Sequence, residues 1–194
     1  MTQAKTKQQW HQVLIIVTTL VASRGSVCLV RHSATIARMP AAKPRPNLVR
    51  KRSRVHGFGV FTAEPISKNT RVIDYAGELV RNSRSEARED RYLADGCIWV
   101  FRVNRTWSRD AAVGGNIARF INHSCTPNCW FEVVDKTIWI RAARQIRRGE
   151  ELTYDYGLVY EGRLSNRARK AFACRCGARR CRGTMLAKRV TDGS

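Results

Sequence analysis

Acidic residues are scarce in this chain. Its 194 residues include 36 lysines and arginines against 15 aspartates and glutamates, a formal charge of +21, most of it from arginine. That imbalance leaves two readings: a solvated basic surface, or an electrostatic footprint for nucleic acid or another polyanion. It speaks to partners and solubility, not to fold. A long apolar run is also missing. Val13–Ser23, ended by Arg24, is the only long uncharged apolar stretch, and its 11 residues are too few to span a bilayer. An evenly spread cysteine framework is lacking as well. The seven cysteines are odd in number, and Cys174, Cys176 and Cys181 crowd into eight residues, with Cys28, Cys97, Cys125 and Cys129 elsewhere. This pattern argues against a disulfide scaffold and for a metal site in a reducing compartment. With 43% hydrophobic residues the chain can bury a core, and its length fits one domain with short appendages.

Residues 1–46 differ from the rest. They carry Lys5, Lys7, Arg24, Arg31, Arg38, Lys43 and Arg45 and no acid. This extension reads as a flexible, targeting or mis-started segment. Lys5 and Lys7 precede the apolar run as in a signal peptide, but no small-x-small cleavage site follows. The acid-free basic stretch also suits organelle targeting. Met39 is a further candidate start, and residues 1–38 are expected to be dispensable. Lys43-Pro-Arg-Pro46 forms a stiff basic linker. The patterned region divides into 47–160, a segment 161–187 with a helix and the cysteine cluster, and a tail 188–194.

Short strand-like runs alternate with turns from Leu48 onward. Strands are expected at Gly59–Thr62, Arg71–Tyr75, Ile98–Val103 and Glu151–Tyr156. A hairpin is expected from Trp130–Val134 and Thr137–Arg141 across Asp135-Lys136. Ser83–Leu93 is the clearest helix, with shorter ones at Gly114–Asn122 and Arg163–Phe172. Ala63, Ile66, Val72 and Gly77 recur 80 residues later as Ala143, Ile146, Leu152 and Gly157. Two copies do not make a repeat protein. The class is mainly β with few short helices.

Four constellations carry chemistry. His56-Gly-Phe-Gly59 places two glycines where backbone can approach a ligand, although a hairpin turn reads the same way. Arg119-Phe-Ile-Asn-His-Ser-Cys-Thr-Pro-Asn128 is too dense in hydrogen-bonding groups for a plain core strand. Its Asn122 and His123 can face a purine-like ring, or His123 can be a satisfied structural histidine. In Gly149-Glu-Glu-Leu-Thr-Tyr-Asp-Tyr156, strand alternation puts Tyr154 and Tyr156 on one face, as two core tyrosines or as hydroxyls at the end of a narrow channel. Cys174-x-Cys176-x4-Cys181 offers three thiolates to a zinc that takes four, so a fourth ligand must come from elsewhere if the thiols are not simply free.

Together these residues resemble the SET-domain protein lysine methyltransferases with a zinc-binding post-SET segment. The resemblance covers residues 47–187, and the wording is closest to the trithorax-type branch, which methylates histone H3 tails. No cysteine-rich pre-SET segment is present in this sequence. The resemblance implies a fold of small curved sheets with a C-terminal pseudoknot, S-adenosylmethionine as cofactor, and zinc. It implies cofactor contacts at Gly57, Phe58, Gly59, Trp99, Arg119, Asn122, His123 and Arg175. It implies Cys125 as the distant fourth ligand beside Cys174, Cys176 and Cys181. Tyr156 matches the catalytic tyrosine, Tyr154 the position that tunes how many methyls are added, and Tyr75 a channel-lining aromatic. A tyrosine at 154 points to mono- or dimethylation. Phe58 stands where many members carry tryptophan, and Trp99 where relatives carry tyrosine or phenylalanine. The expected partner is a histone tail or another basic protein, with DNA or RNA contact through the basic surface, no membrane, and a monomeric state. The expected location is the cytoplasm of a bacterium or the nucleus, not outside the cell. Two competing readings are a non-catalytic module of the same fold that holds DNA, and a zinc-stabilised nucleic-acid-binding protein of another fold.

Overall fold

The structure is a computed structural model, and it describes residues 44–160 and 164–187. The expectations for 1–43, including the dispensable start and the apolar run, lie outside the described residues, as does the tail 188–194. Ten strands and two α-helices follow in order: β1 Leu48–Arg52, β2 Phe58–Thr62, β3 Arg71–Asp74, β4 Glu78–Arg81, α1 Asn82–Ala94, β5 Val100–Arg102, β6 Trp107–Asp110, β7 Asn122–His123, β8 Cys129–Val134, β9 Thr137–Ala142, β10 Thr153–Tyr154 and α2 Asn166–Ala171, with a 3-10 turn at Ile117–Phe120 before β7. They form four small sheets: β1–β2, β3–β9–β8, β4–β6–β5, and a parallel pair, β7–β10.

The mainly β class with few short helices stands. The β8–β9 hairpin turns on Asp135 and Lys136, whose φ angles of +46° and +62° match the primed turn that follows strand twist. The expected helix at Gly114–Asn122 shrinks to the single 3-10 turn, closed by the Asn116 side chain accepting from Ala118 N–H at 3.0 Å. The expected strand Glu151–Tyr156 shrinks to two residues. Leu152 N–H turns to Val60, and Tyr156 N–H goes to the His123 ring instead of to backbone, so the ladder ends there. Strands β1, β4 and β6 were not visible in the pattern. Leu48-Val-Arg-Lys-Arg52 and Trp107-Ser-Arg-Asp110 carry charges where an alternating strand would show apolar residues, and pairing defines them.

The core gathers Val60, Ile66, Val72, Ile121, Ile138, Ile140, Ile146 and Leu152, each at most 2% exposed. At its centre the 80-residue echo becomes a pseudo-two-fold. Residues 61–70 and 141–150 have the same secondary structure and the same burial, position by position. Ile66 and Ile146 exchange N–H···O bonds of 2.9 Å in both directions. Thr62 N–H donates to Glu150 O at 3.2 Å, and its counterpart Ala142 N–H donates to Thr70 O at 3.0 Å. Asn69 N–H to Ala142 O and Gly149 N–H to Thr62 O are both 2.8 Å. Both donors sit at positive φ, +66° and +81°.

Helix α1 buries only Asn82 and Ser85, so polar contacts hold it rather than an apolar stripe. The Asp110 carboxylate, fully buried, accepts from Arg88 at 2.8 Å, Tyr92 at 3.1 Å and Ala112 N–H at 3.0 Å. Arg88 also reaches Glu78 at 2.7 Å, which ties the helix to β4 and β6. The backbone at Gly77 makes this junction possible. Its φ is +156°, and a side-chain carbon there would lie against the Asp110 carbonyl and 2.8 Å from Ala111 N. Neither backbone atom can yield cheaply. Gly77→Ala is therefore expected to lower unfolding free energy by about 3 kcal/mol in denaturant titration; a change below about 1 kcal/mol would contradict this packing.

Candidate active site

A cavity of about 470 Å³ opens between the loop before β2 and the C-terminal segment. Its wall includes Gly57, Phe58, Trp99, Arg119, Asn122, His123, Tyr156, Cys174 and Arg175. Seven of the eight residues expected to touch a cofactor therefore meet at one surface. Gly59 lies behind it. A side-chain carbon on Gly59 would come within 2.7 Å of Glu151 Cδ, so this glycine makes room for a carboxylate. Glu151 accepts from Ser53 Oγ at 2.8 Å and from Asn122 Nδ2 at 2.8 Å. Asn122 Nδ2 also lies 3.0 Å from Phe58 O. Asn122 and Glu151 thus pin the glycine loop in place. Nothing in the sequence pointed to Glu151, because its partners lie 29 and 98 residues away.

The cavity is aromatic on one side and cationic on the other. The Arg119 guanidinium sits 5.2 Å from the Trp99 ring and 4.8 Å from Phe120. It donates to Ala111 O at 3.0 Å, but its Nε is buried without a partner among the described residues. An orphaned donor on a cavity wall is a place for a ligand acceptor. Lys170 and Arg175 add positive charge to the wall.

Behind the cavity, rings run in sequence to the surface. Tyr156 meets Tyr154 at 4.9 Å between centroids. Tyr154 lies parallel to Phe101 at 5.8 Å. Phe101 packs edge-on against Tyr75 at 5.2 Å and Phe131 at 4.7 Å. Tyr75 and Tyr154 are nearly fully buried, whereas Phe131 is 38% exposed. The alternation argument for Tyr154 and Tyr156 therefore holds, and Tyr75 joins them through Phe101. In the sequence Phe131 reads as an ordinary hairpin residue. The Tyr156 hydroxyl donates to Ile121 O at 2.9 Å, and that of Tyr75 to Trp99 O at 3.1 Å. Burial raises all three phenols above their ordinary range, with mutual phenol repulsion adding to it for Tyr75 and Tyr154 and the Glu151 charge for Tyr156.

His123 is 3% exposed and links this row to the cysteines. Its Nδ1 accepts from Tyr156 N–H at 3.2 Å, and its Nε2 lies 3.4 Å from Cys125 Sγ. Burial lowers its pKa, partly offset by Asp155. The four sulfurs of Cys125, Cys174, Cys176 and Cys181 lie within 4.8 Å of one another. Cys125 is 3.7 Å from Cys174 and 3.9 Å from Cys181. These separations match the edge of a tetrahedron with metal–sulfur bonds of ~2.3 Å, which is about 3.8 Å. Four backbone N–H groups, of Cys125, Cys176, Arg182 and Gly183, point at these sulfurs from 3.3 to 3.5 Å. Such donors suit thiolates holding a metal ion. Arg182 also grips Asp155 with two bonds of 2.6 and 2.8 Å.

Residues 57–157 match the SET domain. The chain is 43% identical over 136 residues to "Histone-lysine N-methyltransferase trithorax" of Drosophila virilis, which is 68% of this chain and 3% of that protein. It is 42% identical over 146 residues to "Histone-lysine N-methyltransferase trr" of Drosophila melanogaster, 73% of this chain and 6% of that protein. It is 41% identical over 155 residues to "Histone-lysine N-methyltransferase, H3 lysine-4 specific" of Aspergillus oryzae, 76% of this chain and 12% of that protein. The chain thus spans only a small part of the length of these relatives. With the motifs assembled around one cavity and the match covering residues 57–157, the chain belongs to the SET-domain family.

Proposed function

We propose that this chain is a protein-lysine N-methyltransferase that moves the methyl of S-adenosylmethionine to a lysine of a histone or another basic, nucleic-acid-associated protein. The observation that carries this reading is the row of rings joining a cofactor-sized cavity to the surface at Phe131. The names of the relatives point the same way. Residues 47–160 would form the catalytic domain and 161–187 the metal-bound segment.

The wall fits the cofactor: flat rings at Phe58 and Trp99, backbone at His56–Phe58, the unpaired Arg119 Nε, and Lys170 and Arg175 for a carboxylate. Once bound, S-adenosylmethionine supplies a methyl already activated by its sulfonium. Cys125, Cys174, Cys176 and Cys181 would hold zinc as four thiolates. Zinc would tie the C-terminal segment to Cys125, so that Cys174 and Arg175 stay on the cavity wall.

The chain's own task is to present a neutral amine in line with the methyl. A lysine in water has a pKa of about 10.4. Among Tyr75, Phe101, Phe131, Tyr154 and Tyr156 its ammonium loses hydration, which favours the neutral form. The buried phenols keep their protons, so none serves as the base, and the amine proton passes to water. Tyr156 donates to Ile121 O, which leaves its oxygen free to accept an amine N–H and orient the nitrogen. Tyr154 sets the room left for methyls already present, and Trp99 shapes the cofactor side of the passage. Mono- or dimethylation follows.

A non-catalytic module holding DNA is the second reading, favoured by the excess of basic charge. Incubation with labelled S-adenosylmethionine, histones and cell extract separates the two. Wild-type chain is expected to transfer label, and Tyr156→Phe to lose about a hundredfold or more in kcat while still binding the cofactor. Cofactor binding without transfer would point to a missing substrate or partner, whereas no cofactor binding would favour the module. Tyr154→Phe is expected to shift the product toward higher methylation by mass spectrometry; an unchanged product would remove Tyr154 from that role. Chelation is expected to lower both thermal stability and cofactor affinity, with zinc restoring both; indifference to chelator would rule out a structural metal.

The phenols also predict a pH dependence. In the unfolded chain a tyrosine ionises at about 10, whereas burial holds Tyr75, Tyr154 and Tyr156 higher in the fold. Their contribution is undiminished below about pH 10 and is lost as pH rises above it. Phenolate absorbance of the native protein should therefore lag behind that of the unfolded chain and appear together with unfolding. Titration of all tyrosines at the ordinary value in the native state would contradict the buried row.

A further inference from the structure

We propose that strand β1 and the bend after it form a docking strip for nucleic acid, gripped through its phosphates. Arg50, Lys51 and Arg52 are exposed on this outer strand, and Arg54 is exposed just beyond it. None of the four has a carboxylate partner among the described residues. Arg45, Arg71, Arg88, Arg141, Arg144 and Arg182 do pair with carboxylates; what distinguishes the strip from other unpaired cations such as Arg102 and Arg105 is its run of charges backed by rings. Glu151, bonded to Ser53 within this segment, has Ser53 and Asn122 as its partners and forms no ion pair with the strip.

Aromatic rings back the strip. Arg50 lies 4.8 Å from the centroids of both Phe58 and Phe120, Arg52 lies 4.7 Å from Phe58, and Lys51 lies 5.9 Å from Phe61. Arg119 sits on Phe120 from the cavity side. Three guanidiniums thus share two rings without an ion-pair partner among the described residues, and an external anion relieves their repulsion. A guanidinium resting on a ring keeps its in-plane N–H fork free for acceptors, the geometry that phosphate oxygens fit. On one side of a strand, Arg50 and Arg52 stand about 6.6 Å apart, close to the spacing of successive phosphates.

The rings decide the form of the nucleic acid. Stacking platforms for single strands need open aromatic faces. Here arginines already lie on Phe58 and Phe120 at the strip, so contact runs through the backbone, is indifferent to sequence, and suits a duplex. The strip accounts for a mismatch in charge: a strongly basic protein and a basic substrate meet when both lie on one polyanion. That use rests on the methyltransferase reading; the docking itself does not.

The test is fluorescence anisotropy of the full chain with a labelled duplex of scrambled sequence across a salt series. Each phosphate contact contributes about 0.9 to the slope of log K against log salt. Arg50→Ala/Arg52→Ala/Arg54→Ala should reduce that slope by about 2.7, whereas Lys51→Ala, on the opposite side of the strand, should change it little. Arg54→Ala alone, away from the rings, should reduce it by about 0.9. Arg50→Lys/Arg52→Lys keeps the charges and should keep the slope. Removal of Arg102 and Arg105, equally exposed on the β5–β6 hairpin, should leave it unchanged. Circular dichroism checks that each variant folds, and Arg54→Ala with the lysine pair keeps the test valid if the threefold variant does not. An unchanged slope in folded strip variants overturns the proposal. So does polyglutamate competing as well as duplex, which would make the strip a general anion surface. Methyl transfer is read separately, so failure here is distinct from failure of the catalytic reading.

Discussion

The functional half of this molecule hangs on two residue pairs, Thr153 with Asn122 and Tyr154 with His123, in the short parallel ladder β7–β10. The ladder brings together two segments thirty residues apart, and their polar groups then saturate one another. Asn122 reaches the glycine loop and Glu151, His123 takes the Tyr156 N–H, and Tyr156 returns its hydroxyl to Ile121 O. Because Nδ1 of His123 accepts, the proton of the neutral ring sits on Nε2, facing Cys125 Sγ. A metal-bound thiolate is the acceptor such a donor suits. Cavity wall, row of phenols and cysteine cluster are therefore one hydrogen-bonded unit, and Arg182 on Asp155 closes it from the C-terminal side.

This arrangement explains what could be read from the sequence and what could not. Arg119–Asn128 and Gly149–Tyr156 announce a site because they place more hydrogen-bonding groups in a row than a core strand can satisfy alone. The hairpin at Asp135-Lys136 and helix α1 were visible from local turn and helix signals. Strand β1 was not, since Arg-Lys-Arg reads as a loop until its partner Phe58–Thr62 is known. Glu151 and Phe131 were hidden for a related reason. Their roles arise from Gly59, Asn122, Phe101 and Tyr154, none of them sequence neighbours. The two-residue β10 shows the limit of period-two reasoning. The tyrosines do face one way, but a histidine ring rather than a neighbouring strand takes the second N–H.

Charge follows the same economy of partners. Among the described residues six arginines pair with carboxylates, and others lie on aromatic rings, as Arg81 does on Trp107. Surface pairs of this kind add little to stability. Strand β1 leaves Arg50 and Arg52 without a carboxylate partner among the described residues, resting on Phe58 of its neighbour β2, a ring that also lines the cavity. The basic surface and the cavity wall therefore share a ring.

The pseudo-two-fold shows why the site lies where it does. Around Ile66 and Ile146 the two copies match in burial and in hydrogen bonds, and a symmetric, fully satisfied frame has nothing left to offer a ligand. Past Val72 and Leu152 the copies slip by one residue, so that Asp74-Tyr75 answers Asp155-Tyr156. After Tyr75 the chain turns at Gly77 into β4 and helix α1; after Tyr156 it turns at Gly157 toward the cysteines. The two tyrosines end in one aromatic row but send their hydroxyls to different carbonyls, Trp99 and Ile121. The cavity opens between these divergent continuations, with Leu93 and Trp99 from one side and Cys174 and Arg175 from the other. The symmetric part supplies rigidity, and the departure from symmetry supplies the unpaired groups, such as Arg119 Nε, that a ligand can use.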